Sequence, residues 1–362
     1  MKVFNCTHCG QLLYFENSHC EQCGYNLGFQ SEFLQLLPLV ENEDGTMNIY
    51  MNDATSYRYC ANHEYGICNW LVDASGNHSY CQACQLNRTI PDLSKPEYFR
   101  RWKVIENAKH RLIYSILRLG LSVIPKHQEP GTGLSFDFVS DEGLDDEEKI
   151  LTGHDNGLIT LNIAEADDIE REMTRRAMDE VYRTVLGHFR HEVGHYYWNR
   201  LIDGTKYLDE FRKLFGDERQ DYGEALKVHY NQGAPAGWNL EFISSYASTH
   251  PWEDWAESWA HYLHIVDTLE TAFSFGLSIQ PGLPKFSKNL VANITDDPYR
   301  LEDFDSMLNL WLPFTFAMNS VNRSMGQPDL YPFVIRPKVI NKMRFIHNVC
   351  YQGNRQAVDE TA

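Results

Sequence analysis

Apolar residues recur at helical spacing in several long stretches of the chain. Over residues 96–119 an aromatic or aliphatic side chain returns every three or four positions, and Gly120 follows as a stop. The same spacing runs through residues 168–198, where Gly187 can separate two helices. Three further helices are predicted. One begins at Pro251, and the other two cover residues 304–322 and 338–349.

Two short segments have the alternation and β-branched content of strands instead. Residues 134–139 and 158–163 are predicted to be strands, and a long loop covers much of residues 126–148. The pattern therefore predicts an α+β protein that is mainly helical and contains a small mixed sheet.

Composition places the chain among ordinary globular proteins. It has 362 residues, of which 43% are hydrophobic and 23% charged, so it can bury a large core and form two or three domains. No apolar run approaches the roughly 20 residues of a membrane helix. The N-terminus leads into cysteines rather than into the apolar core of a signal peptide, so we expect no membrane partner and a cytoplasmic location.

The formal charge of −18 argues against a general nucleic-acid binder, because phosphate contacts need a positive surface. Residues 88–118 are positively charged instead, with eight Lys or Arg against three Asp or Glu. Residues 137–148 are strongly negative, with seven acidic residues and no Lys or Arg. We interpret these stretches as a solvated helix face and an acidic surface loop.

The N-terminal cysteines have the spacing of a zinc site. Cys6 and Cys9 form one C-x-x-C turn, Cys20 and Cys23 form another, and a glycine suited to positive φ follows each turn. Two such turns can supply the four thiolates of a tetrahedral zinc site. The segment is too small to fold on a core alone, so the metal would stabilise it. It resembles rubredoxin-like zinc ribbons, and disulfides are disfavoured without a secretory signal.

A second set of cysteines follows, and only its last two members form a C-x-x-C pair. His63 or His78 could replace one of these cysteines, and a crossed pairing of C-x-x-C turns between the two regions is also open. We favour two sequential, closed sites with a structural role, and Cys350 is left as a buried free thiol. The second set comprises Cys60, Cys68, Cys81 and Cys84.

These features divide the chain into four predicted segments. They are a zinc ribbon over residues 1–28, a second cysteine-rich zinc-binding module over 29–95, a metallopeptidase domain over 96–350 and a flexible tail over 351–362.

The assignment of the third segment begins with His191, Glu192 and His195, which form an H-E-x-x-H motif. On a helix, this spacing puts both imidazoles on one face, one turn apart, where they can bind the same metal ion. Glu192 lies one position round and can take a proton from a water that attacks a carbonyl. The motif therefore predicts metal-assisted hydrolysis. We expect the strand at residues 158–163 to form the edge of the cleft, where an extended substrate could add.

Two histidines leave a catalytic zinc one protein ligand short. An H-x-x-G-x-x-H continuation is absent, which argues against a metzincin. In the helix that begins at Pro251, Glu253 and Glu257 lie four positions apart and share a face. One could bind zinc while the other receives the far N–H of a ligating histidine. The alternative is an exposed acidic stripe.

The chain resembles a known group at this point. H-E-x-x-H with a distant glutamate is the gluzincin pattern, and residues 246–257 resemble the Y-x(6)-E-x-x-x-E segment of anthrax lethal factor and the titration-factor peptidases. Nearly the whole chain is similar to bacterial zinc-binding metallopeptidases. The resemblance implies a zincin-like fold with Glu253 as zinc ligand, Glu257 beside a ligand and Tyr246 as oxyanion donor. As a residue of its own, Tyr246 could equally be a packed aromatic.

We therefore predict a zinc-dependent peptidase that binds one catalytic and two structural zinc ions and acts on a protein or peptide. Glu192 would be its general base. One alternative is a regulatory protein that recruits a protein partner through its zinc ribbon and turns over little or no substrate. Another is a protease directed to nucleoprotein through the basic stretch 88–118, which the overall negative charge disfavours.

Overall fold

The structure is a computed structural model, and it describes residues 2–142, 152–177, 181–282, 285 and 288–359. Two compact units make up the chain. The first comprises Met1–Arg176 with Thr184–Leu186, and the second comprises Ala177–Arg183 with Gly187–Ala362.

The first unit begins with a hairpin and a five-stranded antiparallel sheet. The seven strands are β1 (Phe4–Asn5), β2 (Leu12–Leu13), β3 (Asn26–Gln30), β4 (Gln35–Glu41), β5 (Met47–Ile49), β6 (Asn52–Tyr59) and β7 (Leu71–Asp73). Strands β1 and β2 pair with each other, and β3 to β7 follow one another in chain order across the sheet. A bridge between Phe29 and Trp70 brings β3 next to the end of β7. The alternating apolar side chains of this sheet form a small core that includes Leu39 and Leu71.

A long helix and a mixed sheet complete this unit. They are built from α1 (Pro96–Arg118), β8 (Asn87–Thr89), β9 (Ser135–Val139), β10 (Gly153–Asp155), β11 (Leu158–Asn162) and α2 (Asp168–Ala177). The sheet has the order β10-β11-β9-β8, in which β9 is parallel to both neighbours and β10 is antiparallel to β11. The apolar stripe of α1 is buried, with Trp102, Ile105 and Leu112 fully inaccessible.

Helices dominate the second unit. They are α3 (Val185–Leu201), α4 (Leu208–Phe215), α5 (Tyr222–Gln232), α6 (Pro251–Ser274), α7 (Phe304–Ser324) and α8 (Pro337–Asp359), with a short pair of strands, β12 (Ser278–Ile279) and β13 (Ala292–Asn293). Most residues of α6 are buried, and α4, α7 and α8 pack against it. It begins at Pro251, a residue suited to a first helical turn, and His250 caps it. None of the helices in the described part of the chain has the length and apolar character needed to cross a bilayer.

The α+β prediction is confirmed, and so are the helix over residues 96–119, the helix that begins at Pro251 and the two predicted strands. The domain boundaries stay a prediction. The boundary after residue 28 falls inside β3, and α1 lies in the same compact unit as the cysteine-rich region.

Two local predictions were wrong. The break between α2 and α3 lies before Val185, and Gly187 is inside α3. Strand β11 is not an edge strand, because β9 and β10 pair with its two sides. The flexible tail over residues 351–362 stays a prediction: α8 continues to Asp359, and residues 360–362 lie outside the described part.

Candidate metal centre

Helix α3 brings the two motif histidines together as the helical period requires. The Nε2 atoms of His191 and His195 are 3.3 Å apart, and the two rings meet nearly edge to face. Both side chains are half-buried. The two Nε2 atoms therefore face a common position beside the helix.

Helix α6 supplies a carboxylate to the same position. Glu253 lies in its first turn and is almost completely buried. Its Oε2 atom is 2.9 Å from Nε2 of His191 and 3.5 Å from Nε2 of His195. Among the described residues, this oxygen has no hydrogen-bond donor apart from these ring nitrogens. A buried carboxylate oxygen of this kind needs a cation or a proton beside it.

The three donor atoms have the spacing of zinc ligands. A tetrahedral ion with bonds of about 2.0–2.1 Å to nitrogen and oxygen would hold its ligand atoms about 3.3–3.4 Å apart. The observed separations of 2.9, 3.3 and 3.5 Å bracket that value. Two imidazoles and one carboxylate also match the composition of a catalytic zinc site. The residues present therefore fit the ion.

Glu257 fixes the orientation of one histidine ring. Its Oε1 atom lies 2.8 Å from Nδ1 of His191, and its Oε2 atom accepts a hydrogen bond of 2.6 Å from Ser244. A carboxylate accepts from Nδ1–H, so the lone pair of His191 is left on Nε2, on the side that faces Glu253. The two carboxylates of α6 thus have different partners, as their separation of one helical turn predicts.

Glu192 and Tyr246 lie around this cluster. Glu192 is half-buried, and its pKa is raised by burial, against the attraction of the nearby His191 and His195. Tyr246 lies in a single helical turn, Tyr246–Ser248, and the centre of its ring is 6.0 Å from that of His191. Both residues are therefore beside the donor atoms, and their chemical roles stay predictions.

The charges in the cluster are strongly coupled. Burial alone would raise the pKa of Glu253, but the imidazoles of His195 and His191 outweigh it and hold the pKa well below its usual range. Burial would likewise lower the pKa of His191, yet Glu253 and Glu257 raise it well above the ordinary value. Because three carboxylates surround two imidazoles here, the position favours a positive charge.

The eight N-terminal cysteines form two further clusters in the first unit. Sulfur separations are 3.8 Å for Cys6 and Cys23, 3.6 Å for Cys9 and Cys20, and 3.7 Å for Cys68 and Cys81. A tetrahedral zinc with Zn–S bonds of about 2.3 Å separates its sulfurs by about 3.8 Å. The groups are Cys6, Cys9, Cys20 and Cys23 in the first cluster, and Cys60, Cys68, Cys81 and Cys84 in the second.

The grouping follows the sequential pairing and not the crossed one. Gly10 and Gly24, which follow the first C-x-x-C turns, have φ of 78° and 75°, and each donates to the carbonyl of the cysteine four residues before it. His63 is not part of the second cluster: its Nδ1 contacts the carbonyl of Cys68 and its ring stacks on Tyr59 at 3.8 Å. Zinc ligation by these individual cysteines stays a prediction.

Comparison with known proteins agrees with these clusters. Residues 98–349 match a family described as "Putative zinc-binding metallo-peptidase", and residues 3–95 match a zinc-ribbon domain. The chain belongs to this metallopeptidase family. Its membership and its cysteine clusters together make it a zinc-binding protein.

Relatives of this metallopeptidase occur in mycobacteria. Uncharacterized proteins from Mycobacterium bovis and from two strains of Mycobacterium tuberculosis are each 43% identical to it over 350 residues, which is 96% of this chain and 95% of theirs. No solved structure matches the chain.

One residue beside the candidate metal centre was not predicted from the sequence. Tyr222, the first residue of α5, donates a hydrogen bond of 2.5 Å to Oε1 of Glu253. It lies 31 residues before Glu253 and belongs to no recognisable motif. Only the Asp221 N-cap, whose side chain accepts from Glu224, marks the start of its helix in the sequence.

The surroundings of Cys84 were also missed. Nε2 of His110 lies 3.5 Å from Cys84 Sγ, and Oε2 of Glu106 lies 3.9 Å from it. These groups are close enough to form a metal site with Cys84. However, Lys109 Nζ is already 3.0 Å from Glu106 Oε1 and balances its charge. We therefore interpret Glu106 and His110 as polar surroundings of Cys84.

Proposed function

We propose that this metallopeptidase hydrolyses peptide bonds of a protein or peptide substrate by the gluzincin mechanism. His191, His195 and Glu253 would hold one catalytic zinc ion. When bound, the ion supplies Lewis-acid activation of the attacking water and of the scissile carbonyl. The observation that carries the proposal is the convergence of three donor atoms from two helices, which lie 2.9–3.5 Å from one another. Glu192 directly follows His191, one of the three donor residues, in the chain.

Glu192 acts as general base in this proposal. Its carboxylate takes a proton from the attacking water and passes that proton to the amine that leaves. Burial raises its pKa, which makes the carboxylate a stronger base than an exposed glutamate. Its position in the chain, directly after His191, fixes it to the same helix as two of the donors.

Glu257 and Tyr246 have supporting roles. Glu257 keeps the Nδ1 proton of His191 in place, so that Nε2 faces the ion. The Tyr246 hydroxyl would donate to the oxyanion that forms on the substrate carbonyl. Burial and the nearby Glu253 raise the pKa of Tyr246, so the hydroxyl keeps its proton at neutral pH. The cysteine clusters would hold two structural zinc ions, one each.

Cleavage of an unfolded protein and of a peptide mixture by the zinc-loaded full chain tests the proposal. We expect cleavage to stop when a chelator removes the zinc and to return when zinc is restored. Glu192→Gln should keep its zinc and lose about 10²–10⁴-fold in kcat/KM. Glu241→Gln is the control, because Glu241 is exposed and paired with Lys338.

Equal cleavage by Glu192→Gln and the wild type would reject the proposal, since the general base would then be elsewhere. Retention of a binding partner with no cleavage by either protein would support the regulatory alternative.

A further inference from the structure

The carboxylate of Glu253 has a different partner on each of its two oxygens. Oε1 accepts the hydroxyl of Tyr222 at 2.5 Å, while Oε2 faces the ring nitrogens of His191 and His195. A carboxylate held at one oxygen loses freedom to rotate about its terminal bond. The hydrogen bond therefore leaves one defined oxygen for an ion.

The chemistry of the two groups fixes the direction of this hydrogen bond. The Tyr222 phenol has a hydroxyl proton to donate, whereas an ionised carboxylate such as that of Glu253 can only accept. Tyr222 is therefore the donor of the pair.

His250 holds Tyr222 in place. Its Nδ1 atom accepts the N–H of Trp252 at 3.1 Å, so Nε2 carries the ring proton and donates it to the carbonyl of Gln220 at 3.2 Å. The ring of His250 also meets that of Tyr222 edge to face, with centres 5.2 Å apart. The segment that enters α5 is thus tied to the first turn of α6, three residues before Glu253.

We propose that Tyr222 is a positioning residue of the metal centre, which orients Glu253 so that it binds the ion through Oε2 alone. This inference rests on the proposed zinc site. Partners that fix a metal ligand typically change metal affinity or activity by about 10–100-fold when they are removed. Without the hydroxyl, Glu253 could rotate or bring both oxygens to the ion.

The test is the substitution Tyr222→Phe, which keeps the ring and its contacts with His250. We expect the dissociation constant of the catalytic zinc to rise about 10–100-fold in competition with a chelator. The catalytic ion is identified as the one zinc ion per chain that the wild type binds and His191→Ala does not. With cobalt in place of zinc, the absorption spectrum should also change, because binding through both oxygens raises the coordination number.

The matched control is Tyr299→Phe. Tyr299 donates to the buried carboxylate of Asp267 in the same unit, and Asp267 pairs with Arg190 and not with a donor of the metal centre. Its loss therefore removes the same kind of hydrogen bond from a carboxylate that is not a candidate zinc ligand. Tyr299→Phe should lower the unfolding midpoint and leave zinc affinity unchanged. Tyr222→Phe should weaken zinc binding and leave the unfolding midpoint of the zinc-free protein unchanged. Its circular dichroism shows whether it has folded.

Unchanged zinc affinity and cobalt spectrum in a folded Tyr222→Phe variant would overturn the inference. A lower kcat with unchanged affinity would overturn it too, because Tyr222 would then act on the substrate. Failure of the proposed function looks different: the wild type would bind no more zinc than His191→Ala does.

Discussion

Gly194, inside the H-E-x-x-H motif, lies directly against Ala256 of the helix that crosses it. A Cβ atom on Gly194 would be 3.1 Å from Cα of Ala256 and 3.2 Å from the Trp259 ring. The carbonyl of Gly194 also accepts a hydrogen bond of 2.8 Å from the indole of Trp255. The close approach of α3 and α6, which brings the donor atoms together, therefore depends on a residue without a side chain.

Gly194→Ala should push the two helices apart by a few tenths of an ångström. We expect a loss of about 1–3 kcal/mol in the free energy of unfolding, as for other overpacked sites, together with weaker zinc binding. Gly223→Ala is the control, since a Cβ there makes only an ordinary contact of 3.5 Å with Asp221. In helix α5 that change should stabilise by about 0.5–1 kcal/mol. Urea unfolding measures both, and equal effects would contradict this packing argument.

Glu257→Gln should weaken the metal centre without removing a ligand. The amide can present its nitrogen or its oxygen to Nδ1 of His191, so the ring is no longer held in one tautomer. We expect a loss of about 10–100-fold in kcat/KM. Ser244→Ala removes the hydrogen bond to the other oxygen of Glu257 and the acceptor of the Ala247 N–H, but it leaves the contact between Glu257 and His191 in place and should have a smaller effect. A larger loss in Ser244→Ala would show that Ser244 acts in some other way.

Much of the candidate metal centre could be predicted from the sequence because several of its residues lie close together along the chain. His191 and His195 come from one helix, so the helical period fixes their common face, and each C-x-x-C turn fixes two sulfurs in the same way. Tyr222 could not be found like this, since its contact with Glu253 depends on how α5 packs against α6. The same holds for Gly194, whose motif position does not show the helix that it touches.

The errors in the fold have related causes. Alternation identified β11 as a strand, but only contacts with β9 and β10 determine its place in the sheet. Helix formers occur throughout residues 168–198, so propensity did not locate the break before Val185.

Asp254 should make stability depend on pH. Burial raises its pKa to about 7, although Lys342, with Nζ 2.5 Å from Oδ2, opposes the shift. Between the unfolded pKa near 3.9 and this value, the folded protein holds a proton that the unfolded chain releases. The contribution of Asp254 to the free energy of unfolding therefore falls as pH rises through this window.

Asn does not titrate, so Asp254→Asn should gain stability relative to the wild type as pH rises from about 5 to about 8. Urea unfolding across this range measures the difference. Asp305→Asn, which removes an exposed ion pair with Arg344, is the control for loss of a surface charge and should change stability little. Parallel curves for Asp254→Asn and the wild type would show that Asp254 ionises alike in both states.

The number of bound zinc ions tests the three clusters together. We expect three per wild-type chain, because the described residues contain three groups with ligand spacing that share no residue; the group of Cys84, Glu106 and His110 overlaps the second cysteine cluster. Cys20→Ser, Cys68→Ser and His191→Ala should each lower the number by one, as measured by metal analysis. Cys350→Ala should not change it, because Cys350 is buried in α8 outside these clusters. If the wild type and Cys68→Ser each bound two zinc ions, the second cysteine cluster would not be a zinc site.

The same variants should differ in stability. A small zinc module gains its folding free energy from the metal, so loss of the ion at Cys20 or Cys68 should unfold the strands around it. The helices around His191 have their own core, which includes Trp255 and Trp259. His191→Ala should therefore lose its ion and stay folded. Circular dichroism and limited proteolysis separate these outcomes, and unfolding of the α3–α6 region in His191→Ala would mean that the ion there is structural.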